Sequence, residues 1–142
     1  MKNKIIAALI ALSTMGGLAA ALPTTAQAYV GIGPCLLRAQ VPVPNYPGDG
    51  GPQGEGQITN CSSGILGLTN HTLRLQSCIQ VQTPSGGWAT KSETCQDSGT
   101  FKGSGVNEFP TGAWASPRRF RTWVWGCADG NCATYQSGYR DF

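Results

Sequence analysis

Catalysis needs a nucleophile with a base, a pair of carboxylates or a metal, and this chain is poorly stocked with all three. His71 is the only histidine in 142 residues. It lies in Asn70-His71-Thr72 with no acid beside it, so a triad would need folding to bring Asp97 or Glu108 to its ring. The acids are Asp49, Glu55, Glu93, Asp97, Glu108, Asp129 and Asp141, and most fall in turns or on polar faces of strands. A glycosidase needs two carboxyl groups about 5 to 9.5 Å apart. Glu55 with Glu108 is a conceivable pair, although nothing in the sequence selects it. No phosphate-cradling glycine motif or metal-ligand cluster occurs, so neither cofactor nor metal is expected. His71, Glu55 and Glu108 are the catalytic candidates, and the expectation leans towards a protein that is not an enzyme.

The stretch 118–125 carries a different chemistry. Strand alternation puts Phe120, Thr122, Val124 and Gly126 on one face, and Arg119, Arg121, Trp123, Trp125 and Cys127 on the other. A return strand sets Thr134 and Gln136 against Trp125 and Trp123. With Phe120, Val124 and Tyr135 in the core, the opposite face displays two indoles and two guanidinium groups beside Thr134 and Gln136. Such a face suits stacking on sugar rings or anchoring a protein partner, with cation–π contact from Arg121 to Trp123 or Trp125 holding it in shape. The reverse orientation, with the indoles in the core, is slightly favoured by the average burial of tryptophan. Trp88 and Trp114 read as core or loop-packing residues.

Strands must position these residues. From 73 to 81, Leu73, Leu75, Ile79 and Val81 alternate with Arg74, Gln76, Cys78 and Gln80, the period of a half-buried strand. Residues 88–95 return as its partner, and 57–61, 100–106, 120–127 and 132–137 add further strands. No amphipathic helix is evident. Short strands at turn spacing predict an all-β fold, a single small antiparallel immunoglobulin-like sandwich or a compact barrel. Residues 42–57 hold four prolines and five glycines and read as a loop, not as helix or central strand.

Six cysteines, Cys35, Cys61, Cys78, Cys95, Cys127 and Cys132, imply three disulfides in an oxidising compartment. Asp129-Gly130 is a type I′ turn signal that places Cys127 opposite Cys132. The same construction with Gly86 and Gly87 at the tip places Cys78 opposite Cys95, Gln80 opposite Glu93 and Gln82 opposite Lys91. Both cysteine pairs then occupy non-hydrogen-bonded positions, where Cα atoms approach to about 4.5 Å. By elimination Cys35 pairs with Cys61. A metal site at Cys127 and Cys132 is disfavoured by the single histidine.

Residues 1–28 have the parts of a secretory signal peptide: Lys2 and Lys4, an apolar run over 5–22, and Ala26-Gln27-Ala28, with cleavage expected after Ala28. Thr14, Gly16, Gly17 and Pro23 interrupt or close the run, and no basic stop-transfer segment follows, so no membrane span is expected after cleavage. The chain has 10 Lys and Arg against 7 Asp and Glu. Losing Lys2 and Lys4 leaves eight against seven, which removes the net-charge case for a nucleic-acid partner. Residues 29–142 form one domain, expected to be secreted and extracellular.

The run Phe120-Arg-Thr-Trp-Val-Trp-Gly-Cys127, together with Cys78-Ile-Gln-Val-Gln and Gly87-Trp88 followed by Cys95, resembles small secreted actinobacterial proteins of unassigned function. The likeness covers roughly residues 57–137. It implies a compact β-sandwich and carries no activity. The expected function is a secreted binding module for a cell-surface or polymeric ligand, carbohydrate included, using Trp123, Trp125, Arg119, Arg121, Thr134 and Gln136. The alternatives are a secreted inhibitor of an extracellular hydrolase, using the 42–57 loop, and a small antibacterial toxin or enzyme.

Overall fold

The computed structural model describes residues 28–45, 51–63, 70–113 and 118–142. The proposed signal peptide, apart from Ala28, lies outside the described residues, as does Trp114. Among the described residues ten strands form two antiparallel sheets. The first sheet is ordered β1 (Tyr29–Ile32), β2 (Cys35–Pro44), β3 (Pro52–Thr59) and β8 (Val106–Glu108). The second is ordered β10 (Asn131–Asp141), β9 (Arg119–Ala128), β4 (His71–Gln82), then an edge in three pieces: β5 (Trp88–Thr90), β6 (Gln96–Asp97) and β7 (Phe101–Gly103). Neither sheet closes into a barrel. With β2, β3 and β8 as A, B and E, and β10, β9, β4 and β5 as G, F, C and C′, the order is that of an immunoglobulin-like sandwich. The first strand begins at Tyr29, the residue after the expected cleavage site.

The core lies between the sheets. Ile32, Cys35, Leu37 and Ile58 meet Leu73, Leu75, Val124 and Ala128, and Phe120 joins Ile79 and Val81 in a second cluster. Where the sheets come closest, glycine replaces the side chain. A Cβ at Gly56 would sit 2.7 Å from both Ser77 Oγ and Val124 Cγ1, and one at Gly126 would sit 2.6 Å from Leu37 Cδ1. Thr122, fully buried, ties the sheets together: its hydroxyl donates to the Gln40 carbonyl at 2.6 Å, next to an irregularity in β2 between Gln40 and Val43.

These contacts overturn the loop expected over 42–57, except at 46–50, which lie outside the described residues. Residues 42–44 and 52–57 are strand, and β3 is an internal strand flanked by β2 and β8. The physical reason is the alternation Pro52, Gly54, Gly56, Ile58, all buried, against Gln53, Glu55, Gln57 and Thr59, all half-buried. The glycines are the inward residues of a strand packed too closely for anything larger, and Pro44 faces Pro52 at the hairpin end.

The three disulfides are those expected, Cys35–Cys61, Cys78–Cys95 and Cys127–Cys132, with Cα separations of 3.9, 4.2 and 4.1 Å. The β9–β10 register is also as expected around the turn: Asp129 and Gly130 have φ of 48° and 83°, and Cys127 faces Cys132. The β4–β5 register is not. Gln80 faces Thr90 and Gln82 faces Trp88, in place of Glu93 and Lys91. Pro84 lies in the Thr83–Gly87 turn, which is closed by bonds from Gly86 N to the Thr83 carbonyl and from Thr83 N to the Gly87 carbonyl. A 3-10 turn, Ser92–Thr94, then takes up three residues, so Ser77 meets Gln96 and the expected alignment is recovered at the cystine. Hydroxyls patch the gaps this leaves: Thr94 Oγ1 accepts from Ile79 N at 2.9 Å, and Ser98 Oγ accepts from Leu75 N at 3.0 Å.

Candidate functional site

The outer face of the second sheet is built by three long strands in alternation. Along β9 every second residue from Phe120 to Ala128 is buried, and Arg119, Arg121, Trp123, Trp125 and Cys127 point away from the core. Both indoles are therefore on the outer face, half-buried by their neighbours. The core orientation suggested by average tryptophan burial does not occur, because Thr122, Val124 and Gly126 already fill the space against the first sheet.

Cross-strand pairing supplies the neighbours. Trp125 lies between Gln76 and Thr134, Trp123 between Cys78 and Gln136, and Arg121 between Gln80 and Tyr139. Thr134 and Gln136 are thus where the sequence placed them, and both are exposed. The cation–π contacts differ from expectation. Arg121 lies over Trp88, 4.3 Å from the ring centroid, and it is Arg74 that lies over Trp125, at 5.7 Å. Residues two apart on one strand are about 6.8 Å apart, whereas a side chain on a neighbouring strand is closer. Arg119 covers Tyr139 at 4.8 Å, and Trp88 and Tyr139 have centroids 6.3 Å apart. Four aromatic rings and three guanidinium groups share this face.

Two of these arginines are neutralised. Arg74 forks onto Asp97, Nη2 to Oδ2 at 2.7 Å and Nε to Oδ1 at 3.2 Å, which raises the arginine and lowers the carboxyl from their ordinary values. Arg119 Nε donates to Asp141 at 2.9 Å. Arg121 instead donates from Nε to the side-chain carbonyl of buried Gln80 at 2.7 Å, and the Gln80 amide donates to Thr90 Oγ1 at 3.0 Å. Burial lowers the Arg121 pKa from its ordinary value. Among the described residues no carboxylate pairs with it.

Sequence reasoning missed Arg74 and Tyr139 and took Trp88 for a packing residue. Arg74 had a signal, its place on the polar face of the 73–81 alternation. Tyr139 had the wrong one. Strict alternation from core-packed Tyr135 would bury it, but the register shift between Gln136 and Tyr139 reverses the phase and leaves Tyr139 53% exposed. Ser137 Oγ accepts from Thr122 N at 2.9 Å within that irregularity.

The catalytic candidates are dispersed. His71 is 7% exposed and held at both nitrogens, Nδ1 at 2.7 Å from Asp129 Oδ2 and Nε2 at 3.0 Å from the Ser62 carbonyl. Its carboxylate partner is the turn residue Asp129, in place of Asp97 or Glu108. Asp129 Oδ1 also accepts from Thr72 N at 2.8 Å. The hydrogen bond to Asp129 raises the histidine pKa and lowers that of the acid. An imidazole set between a carboxylate and a backbone carbonyl, with no nucleophile at either nitrogen, pins the β9–β10 turn to β4.

Glu55 and Glu108 lie on opposite faces of the first sheet. Glu108 pairs with inward Gly56, so it shares that face, and burial raises its carboxyl pKa, with Asp97 adding to the effect. Glu55 points outward and accepts from the side-chain amides of Gln40 at 2.6 Å, Asn107 at 3.4 Å and Gln57. The two do not form a facing carboxylate pair. Among the described residues no group of three or more His, Cys, Asp and Glu is arranged to hold a metal ion, and no helix is long and apolar enough to cross a membrane. No protein-family model, characterised protein or solved structure matches the chain.

Proposed function

We propose that the chain is exported, loses residues 1–28, and acts outside the cell as a non-catalytic binding module. Its ligand is polymeric and lies along the outer face of the second sheet. The supporting observation is the outward placement of Trp123 and Trp125 in one unbroken strand, extended sideways by Trp88 and Tyr139. Half-buried indoles on an outer sheet face suit stacking against sugar rings, and Arg74 over Trp125 and Arg121 over Trp88 hold those side chains in place. Three cystines suit an extracytoplasmic setting. The alternative, a secreted inhibitor using the 42–57 loop, is less favoured because 42–44 and 52–57 are paired strand.

The test is capture of the oxidised protein, lacking 1–28, on insoluble cell-wall polysaccharides. Wild type is expected to be retained and the Trp123→Ala/Trp125→Ala double variant released. Equal retention of both would end the reading.

A further inference from the structure

From the unpaired guanidinium of Arg121 we infer that the polymer is an acidic glycan, with a sugar carboxylate seated on Arg121 beside a ring stacked on Trp123. This rests on the binding-face reading and narrows it to a ligand class.

Three similar residues on this sheet face differ in how their charge is met. Arg74, Arg119 and Arg121 each lie over an aromatic ring on the same sheet face. The first two meet aspartates supplied by flanking strands. Arg121, in the middle, is held by neutral groups only: Gln80 takes Nε, Trp88 takes the guanidinium plane, and Thr90 fixes Gln80 in turn. The protein has oriented this cation without neutralising it. With Nε occupied and one face covered, the two terminal NH2 groups are the part left to a ligand. A paired, parallel approach there is what a carboxylate accepts.

The surroundings agree in sign. Cations on this face are Arg74, Lys102, Arg119 and Arg121, and its acids are Asp97 and Asp141, both already engaged. Four cations against two acids leave this face positive, although the chain without residues 1–28 is close to neutral. An anionic polymer is drawn to such a face even at low overall charge. Trp123 and Trp125 follow Arg121 along β9 at about 6.8 Å intervals. A chain of sugars lying along β9 therefore meets a cation and then two ring platforms in line. Single-stranded nucleic acid also combines stacking with negative charge, but it would gain from a basic track, and two of the three arginines here are already neutralised.

The experiment uses the oxidised protein, lacking 1–28, in 0.15 M salt, with polygalacturonate, its fully methyl-esterified form and oligo(dT) as probes. Polygalacturonate is expected to bind at least tenfold more tightly than the ester. Arg121→Gln should bring acid binding down to the level of the ester, and Arg121→Lys should fall between. Equal wild-type affinity for acid and ester, both lost in Trp123→Ala/Trp125→Ala, would overturn the carboxylate site and leave the stacking face standing. Absence of binding to both polymers, or tighter binding to oligo(dT), would also overturn it. The wild-type comparison of acid with ester needs no variant, so a folding defect in Arg121→Gln cannot decide the outcome.

Discussion

Strand β9 has two sides that follow opposite rules. Inward, Thr122, Val124, Gly126 and Ala128 are small or medium-sized and fully covered, and Gly126 is glycine because the other sheet has already arrived. Outward, Arg119, Arg121, Trp123 and Trp125 are among the largest side chains available, Arg119 exposed and the other three half-covered, with Arg74 against Trp125 and Trp88 against Arg121 from other strands. Past buried Phe120, the stretch 122–126 keeps bulk out of the interior and carries it on the outer face, so there residue size reports location in the reverse of the usual sense. Damage on the inner side should therefore cost folding, and damage on the outer side should cost binding.

The largest effect expected lies outside both sides. Reducing all three disulfides removes about 9 kcal/mol in the chain-entropy account, comparable to the whole stability of a typical domain. Thermal melts with and without reductant should show a cooperative transition lost or displaced by tens of degrees. On the inner side, Gly56→Val drives a branched side chain into Ser77 and Val124 and should cost about 3 kcal/mol or more. Gly31→Ala, where a Cβ meets nothing within 4 Å, should stay within about 0.5 kcal/mol. Equal losses for the two, measured by urea denaturation, would contradict the close sheet approach. On the outer side, Trp123→Ala/Trp125→Ala should cost about 1 to 2 kcal/mol, short of the 3 to 5 kcal/mol for one fully buried ring, while binding disappears.

The finest test concerns the pin between the strands. His71 titrates above 6.5 in the folded protein, so its contribution is complete below that value and fades as pH rises through the raised folded value. Asp129, lowered, keeps its own contribution until pH falls through its depressed value. Melting temperatures of wild type should decline as pH rises above 6.5, and His71→Asn should flatten that decline. A variant that tracks wild type across this range would remove the charged pair from the account.

Much of this molecule could be read from local pattern. The Asp129-Gly130 turn, the alternation in β4 and β9 and the Cys127–Cys132 bridge are short-range signals, each legible within a few residues, whereas Cys78–Cys95 followed from a register that holds only at the cystine and Cys35–Cys61 from elimination. The failures are long-range. Gly54 and Gly56 look like loop residues until Ser77, Val124 and Thr122 are known to lie opposite. The Ser92–Thr94 turn shifts the β4–β5 register, and nothing nearby in sequence announces it. The candidate face was half legible: β9 gave Trp123, Trp125, Arg119 and Arg121, and the β10 register gave Thr134 and Gln136. Arg74, Trp88 and Tyr139 depend on which strand lies beside which, and for Tyr139 on a bulge that inverts the pattern.

The broken border formed by β5, β6 and β7 carries a consequence for crowding. A continuous outer strand is a template on which another polypeptide can add itself, the first step towards fibrils. Here the rim of the second sheet is cut into lengths of three, two and three residues, separated by turns. An incoming chain finds no uninterrupted row of amides to copy along that rim. Such a particle can be concentrated on a solid support, as a module gathered onto a surface would be, with that border closed to stacking.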